Sequence, residues 1–154
     1  MLSPLRNNVR REVMTAGIDM TEMEARNLSV VRSYMAAIES GATGDALACF
    51  FAPEAIQVEL PNRLNPQGGE SDLATILARA EQGKGLLKSQ HFEVKSETAQ
   101  DSRVAIEALW SGVLSVPLGA LVAGATLRAH FAMFFDLTDG RIRVQRNYDC
   151  FEPW

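Results

Sequence analysis

The sequence predicts an α+β domain in which three N-terminal helices pack on one face of a curved antiparallel sheet, forming a cone with one open end. Three observations carry this reading. Apolar residues recur at helical spacing through the first half of the chain and switch to strand-like alternation from Gln90 onward. The alternating segments are separated by tight-turn residues, so strands adjacent in sequence pair as hairpins. Gly112 and Gly124 fall within and beside the longest apolar stretches, where glycine allows a sheet to bend. A cone of this kind is a ready pocket for a small molecule.

The elements follow in order. Residues 1–20 show no clean apolar period and read as an N-terminal arm preceding a single domain over 21–154. Thr21 and Glu24 have the spacing of a capping box, and Leu28, Val31, Met35 and Ile38 give the following helix one apolar stripe, ended by Gly41 and Gly44. A short second helix, Ala46 to Phe51, is capped by Thr43 or Asp45 and stopped by Pro53. Ile56, Val58 and Leu60 alternate with Gln57 and Glu59 as a strand, and Pro61 to Gly69 is a loop. Ser71 caps a third helix with Leu73, Ile76, Leu77 and Ala80 on its apolar face, closed by Gly83 or Gly85. Four strands complete the chain, with turns at Asp101-Ser102 and Thr138-Asp139-Gly140 and a connection over Pro117 to Gly124.

Composition sets outer limits. The chain has 154 residues, 47% hydrophobic and 22% charged, enough for a core without disulfide or metal staples. A net charge of −4 gives no reason to expect a nucleic-acid partner. No apolar run approaches the roughly 18 residues of a membrane span, and no secretory leader is visible, so a cytoplasmic protein is expected. Cys49 and Cys150 read as reduced thiols. Two histidines, two cysteines and no zinc-type spacing point to no metal site, and Gly68-Gly69 lacks the lysine of a phosphate loop, so no cofactor is expected.

Three segments stand out: Phe51-Ala52-Pro53-Glu54-Ala55; Arg103 to Glu107 leading to Trp110-Ser111-Gly112; and Phe135-Asp136 through Asp139-Gly140-Arg141-Ile142 to Arg146-Asn147-Tyr148-Asp149. In this order they resemble the nuclear transport factor 2-like superfamily, also called cystatin-like in fold, in its SnoaL-like and ketosteroid isomerase-like branch. The resemblance spans roughly residues 24–152 and implies the cone fold and a homodimer, whose second copy would cover the Val/Leu/Ala-rich outer face of the sheet. It does not name a reaction, because this fold hosts many. The acid that epoxide hydrolases and SnoaL cyclases carry on the last strand matches Asn147, an amide; the nearest acid is Asp149. The isomerases' first-strand base matches Glu59, and their second acid matches Phe131 or Ala132.

The candidate chemistry is therefore acid/base. Gln145, Asn147 and Asp149 share one side of the last strand, and Arg128 and His130 share one side of the strand before it, so pairing is expected to bring the two polar rows together. Asp149, Glu59 and His130 are the candidate catalytic residues; Asn147, Gln145, Arg128, Trp110, Phe131 and Tyr34 are the candidate substrate-binding residues. A carboxylate in an apolar cone could take a proton from carbon next to a carbonyl, with Arg128, His130 or Asn147 stabilising the oxyanion. Each residue has a plainer alternative: Asp149 pairs with an arginine or caps the chain end, Glu59 faces solvent, Glu107 faces solvent or a dimer partner, and His130 is a hydrogen-bonded core residue. Three functions stay open: a cofactor-free isomerase, cyclase or hydratase acting on an apolar carbonyl or cyclic compound, a non-catalytic ligand-binding domain, and a protein-interaction module. A cone filled by Phe131, Phe134 and Trp110 would favour the last.

Overall fold

The computed structural model describes residues 20–154, so the predicted arm lies outside the described residues except for Met20. Helix α1 (Glu22–Glu39) starts at the expected capping box: Thr21 Oγ1 accepts from the Glu24 amide and Glu24 Oε2 from the Thr21 amide. Its stripe of Leu28, Val31, Tyr34 and Met35 is buried. Helix α2 (Asp45–Ala48) is shorter than expected. Its cap is Gly44, whose φ of 53° suits glycine, while Thr43 instead accepts from Lys84 Nζ at 2.8 Å.

Strand β1 (Phe51–Glu59) starts earlier than expected, at Phe51, the last residue of the expected second helix. Pro53 does not stop a helix. It falls in the irregular stretch between Phe51 and Ile56 where the β1 ladder slips, a place where a missing N–H costs nothing. A short strand β2 (Gly69–Asp72) replaces the end of the expected loop and carries Ser71, buried, opposite Gln57. The cap of α3 (Leu73–Leu86) is therefore Asp72, which accepts from the Thr75 amide at 2.9 Å, and the helix runs through Gly83 and Gly85. Strands β3 (Leu87–Gln100), β4 (Arg103–Leu114), β5 (Thr126–Thr138) and β6 (Arg141–Phe151) form the predicted meander. Asp139 and Gly140 both take positive φ in its last turn.

The sheet order is β2-β1-β6-β5-β4-β3. All neighbours are antiparallel except β1 and β6, which run parallel, so the sheet is mixed. The helices cover one face. That face carries Val104, Ile106, Ala108, Trp110 and Leu114 from β4, and Leu127, Ala129, Met133, Phe135 and Leu137 from β5, all buried. Each large side chain so buried contributes about 1.5–3 kcal/mol. The core is complete beneath α1, and the helix-covered face opens into a cavity toward the ends of β1 and β6.

Candidate active site

Strand alternation presents Gln145, Asn147 and Asp149 to the helix-covered face, and the β5–β6 register sets them opposite Phe135, Met133 and Phe131. They line a cavity of about 250 Å³. Its walls are largely apolar, with an aromatic cluster on one side. Trp110 and Phe131 stack with centroids 5.5 Å apart and planes within 5°, and Phe151 meets both edge-on at 6.0 and 6.3 Å. Phe92 completes the wall at 5.9 Å from Phe131. Trp110 and Phe131 thus line the cavity without filling it, and Phe134 lies on the opposite face, half-exposed.

A hydrogen-bond chain orients the polar row. The Tyr34 hydroxyl, held by three edge-on aromatic neighbours, donates to Gln145 Oε1 at 3.0 Å. Gln145 is 2% exposed, so its orientation is fixed, and its Nε2 donates to Asn147 Oδ1 at 2.9 Å. With Oδ1 committed as acceptor, Asn147 is left with its Nδ2 hydrogens as donors beside Asp149. Burial pushes the Tyr34 phenol well above its ordinary range, which keeps it a donor.

Asp149 is the electrostatic centre. Its Oδ1 is buried without a hydrogen-bond partner, so the expected alternative of an arginine pair does not describe this atom. Desolvation, with a smaller contribution from the negative charge of Glu59, raises the carboxyl from 3.8 to about 7. Glu59, the other acid lining the cavity among the described residues, is engaged differently. It accepts from Asn62 Nδ2 at 2.7 Å, Asn65 Nδ2 at 2.9 Å and Arg79 Nη1 at 3.2 Å. Two donors from the loop after β1 and one from α3 hold Glu59, whereas Asp149 has a buried oxygen with no hydrogen-bond partner.

Arg128 and His130 do not join this row. They lie on the opposite face of the sheet, exposed, with His130 Nε2 3.4 Å from Glu152. A single bulge is the reason. The β5–β6 hairpin begins with Thr138 opposite Arg141 and Leu137 opposite Ile142, a register that would carry His130 to Asp149. The ladder slips by one residue between Leu137 and Asp136, so Phe131 faces Asp149 and His130 faces Cys150. His130 is therefore neither near the carboxyl nor a core residue. Glu107 shares that outer face and accepts from Ser96 Oγ at 3.1 Å.

Nine wall residues escaped the sequence reading as site residues, among them Gln57, Gln90, Phe92 and Phe151. Gln57 was legible, because it sits two residues before Glu59 on one strand face. Gln90 accepts from Trp110 Nε1 at 3.0 Å, a contact that only the pairing of β3 with β4 creates.

No protein-family profile matches the chain, and no curated protein does either. Solved structures match clearly. AclR from Streptomyces galilaeus, assigned as a hydroxylase, superposes with a TM-score of 0.70 at 17% identity, over 84% of this chain and 82% of that one. A protein of Jannaschia sp. CCS1 assigned as a SnoaL-like polyketide cyclase gives 0.70 at 19% identity, over 86% and 91%. A nuclear transport factor 2-like protein of Burkholderia xenovorans LB400 gives 0.61 at 15% identity, over 82% and 90%. With the six-stranded mixed sheet and its three covering helices, these matches identify the fold of the chain as nuclear transport factor 2-like, in the form shared by SnoaL-like proteins.

Proposed function

We propose that the chain binds a small apolar carbonyl or cyclic compound in the cone and moves a proton on it, with Asp149 as general acid/base. The observation that carries this is the Asp149 carboxyl: buried against an aromatic wall, one oxygen unpartnered, and titrating near 7. A base with that pKa is part-ionised at neutral pH and still strong enough to take a proton from carbon next to a carbonyl. As the C–H bond breaks, its electron pair moves into the carbonyl, leaving an enolate oxygen. Asn147 Nδ2, kept as a donor by the Tyr34–Gln145 chain, is placed to stabilise that charge. Asp149 then returns the proton, to the same carbon or another, so no cofactor is consumed.

The test is proton exchange on 2-tetralone in D2O, followed by NMR. The native chain is expected to accelerate exchange of the acidic α-protons, and Asp149→Asn to abolish the acceleration. Exchange no faster than buffer, or full activity in Asp149→Asn, overturns the reading.

Two further proposals accompany it. The outer sheet face exposes Phe134 and Tyr148, 42% and 43% accessible and in edge-on contact at 5.7 Å, which supports burial against a second copy. Sedimentation of the native chain as a dimer and of Phe134→Asp as a monomer would bear this out; a monomeric native chain would refute it. Cys49 and Cys150 are both free and exposed, which suits the reducing cytoplasm. No helix among the described residues is long and apolar enough to cross a membrane.

A further inference from the structure

The aromatic cavity does not end at its own walls. Tyr34, Ile38, Gln57, Leu87 and Gln90 line it and also line a second, wider groove of about 720 Å³ running between α1 and α3. The two chambers differ in chemistry. The inner one is mainly apolar, with an aromatic cluster and polar side chains from β1, β3 and β6. The outer one is bordered by three cations, Arg79, Lys84 and Lys88, against one carboxylate among the described residues, Glu39.

That carboxylate is already occupied. Glu39 Oε1 accepts from the Phe92 amide at 2.5 Å and lies 2.9 Å from His91 Nδ1. Two of the cations are only partly satisfied. Arg79 gives one N–H to Glu59 at 3.2 Å, at the junction of the chambers, which leaves the rest of its guanidinium fork. Lys84 donates to the Thr43 hydroxyl and stands 3.9 Å from Glu81, with half of its side chain exposed. The lining of the groove carries two more cations than carboxylates on a chain of net charge −4; Glu59 and Glu81 at its rim are shared with Arg79 and Lys84, and Lys88 pairs with no carboxylate among the described residues.

We propose that the ligand is amphiphilic: an apolar ring system that fills the inner cavity, joined by a short linker to an anionic group, carboxylate or phosphate, held by Arg79, Lys84 and Lys88 in the outer groove. This deepens the proton-transfer reading and rests on it for the placement of the ring. The cationic groove holds the charged end, so the ring enters carbonyl-first toward Asn147 and Asp149. The anion thereby sets which end of the ligand meets the base.

The test compares three probes on the full chain by calorimetric titration: 4-(2-naphthyl)butanoate, its methyl ester, and 3-(2-naphthyl)propyl phosphate. The ring is common to all, and only the charge and its geometry change. At least one of the two anions is expected to bind about tenfold tighter than the ester, the gain from two partly exposed ion pairs, and to lose that margin in 0.5 M salt. The acid and phosphate arms show which anion the groove prefers. Lys84→Glu with Lys88→Glu, both exposed, is expected to remove the margin while leaving ester binding and 2-tetralone exchange unchanged. Equal affinity of the ester and both anions, absence of anion binding, or a margin that survives the double reversal overturns the inference. Failure of the proton-transfer reading shows separately, as an absence of 2-tetralone exchange.

Discussion

Asp149→Asn is expected to stabilise the protein at pH 8 and to leave it unchanged at pH 4. Desolvation, together with Glu59, raises the folded-state carboxyl to about 7 against 3.8 in the unfolded chain. Between those values the folded state holds more protons than the unfolded state. Stability is therefore full below about pH 4 and falls as pH rises toward 7 and above. The ionised form is disfavoured in the cavity by about 4 kcal/mol at most, and by about 2–4 kcal/mol once water at the cavity mouth is allowed for. An amide of the same shape carries no such charge and avoids that loss. For a domain of this size, each kcal/mol moves Tm by about 2–4 °C, so the variant should melt about 5–15 °C higher than the native chain at pH 8. The assay is thermal melting followed by circular dichroism at pH 4, 6 and 8 on both proteins. Because only the difference between them is read, contributions common to both proteins cancel. A Tm difference that is the same at every pH would refute the reasoning, since it would mean that the carboxyl does not titrate inside this window.

Tyr34→Phe removes the donor to Gln145 and leaves a buried amide oxygen unpartnered; a loss of about 1–3 kcal/mol in urea unfolding is expected. The same variant frees Asn147 to rotate, so 2-tetralone exchange should slow while its pH midpoint stays in place. Gly112→Ala places a methyl 2.5 Å from the Trp110 ring, and shifting the indole should cost about 1–3 kcal/mol and change tryptophan emission. Thr21→Ala removes one half of the capping box and should cost about 1 kcal/mol, read as a lower urea midpoint with an unchanged slope.

Local rules made much of this fold legible. The capping box at Thr21 and Glu24, the stripe of α1 and the alternating row from Val104 to Leu114 depend on residues within a few positions of one another. The Asp139-Gly140 turn likewise announced its hairpin. Where two local signals competed, burial decided: Phe51 joined a strand because its ring packs against Tyr34 at 5.2 Å, and Asp72 displaced Ser71 as a cap because Ser71 is buried in β2.

The site divides in the same way. That Gln145, Asn147 and Asp149 share a face follows from the two-residue period of a strand, and the sequence determined it alone. Which residues face them did not follow, because one bulge beside Asp136 turns Phe131 toward Asp149 and sends His130 and Arg128 to the other face. The parallel pairing of β1 with β6, between segments some 90 residues apart, sets Glu59 level with Asn147. Asp149 reads as an ordinary acid in the chain. Only the assembled wall of Trp110, Phe131 and Phe151 withdraws water from it, and the charge of Glu59 adds to the effect. Desolvation is a property of what surrounds a group in three dimensions, so only the tertiary structure could raise this carboxyl above the ordinary carboxylate range.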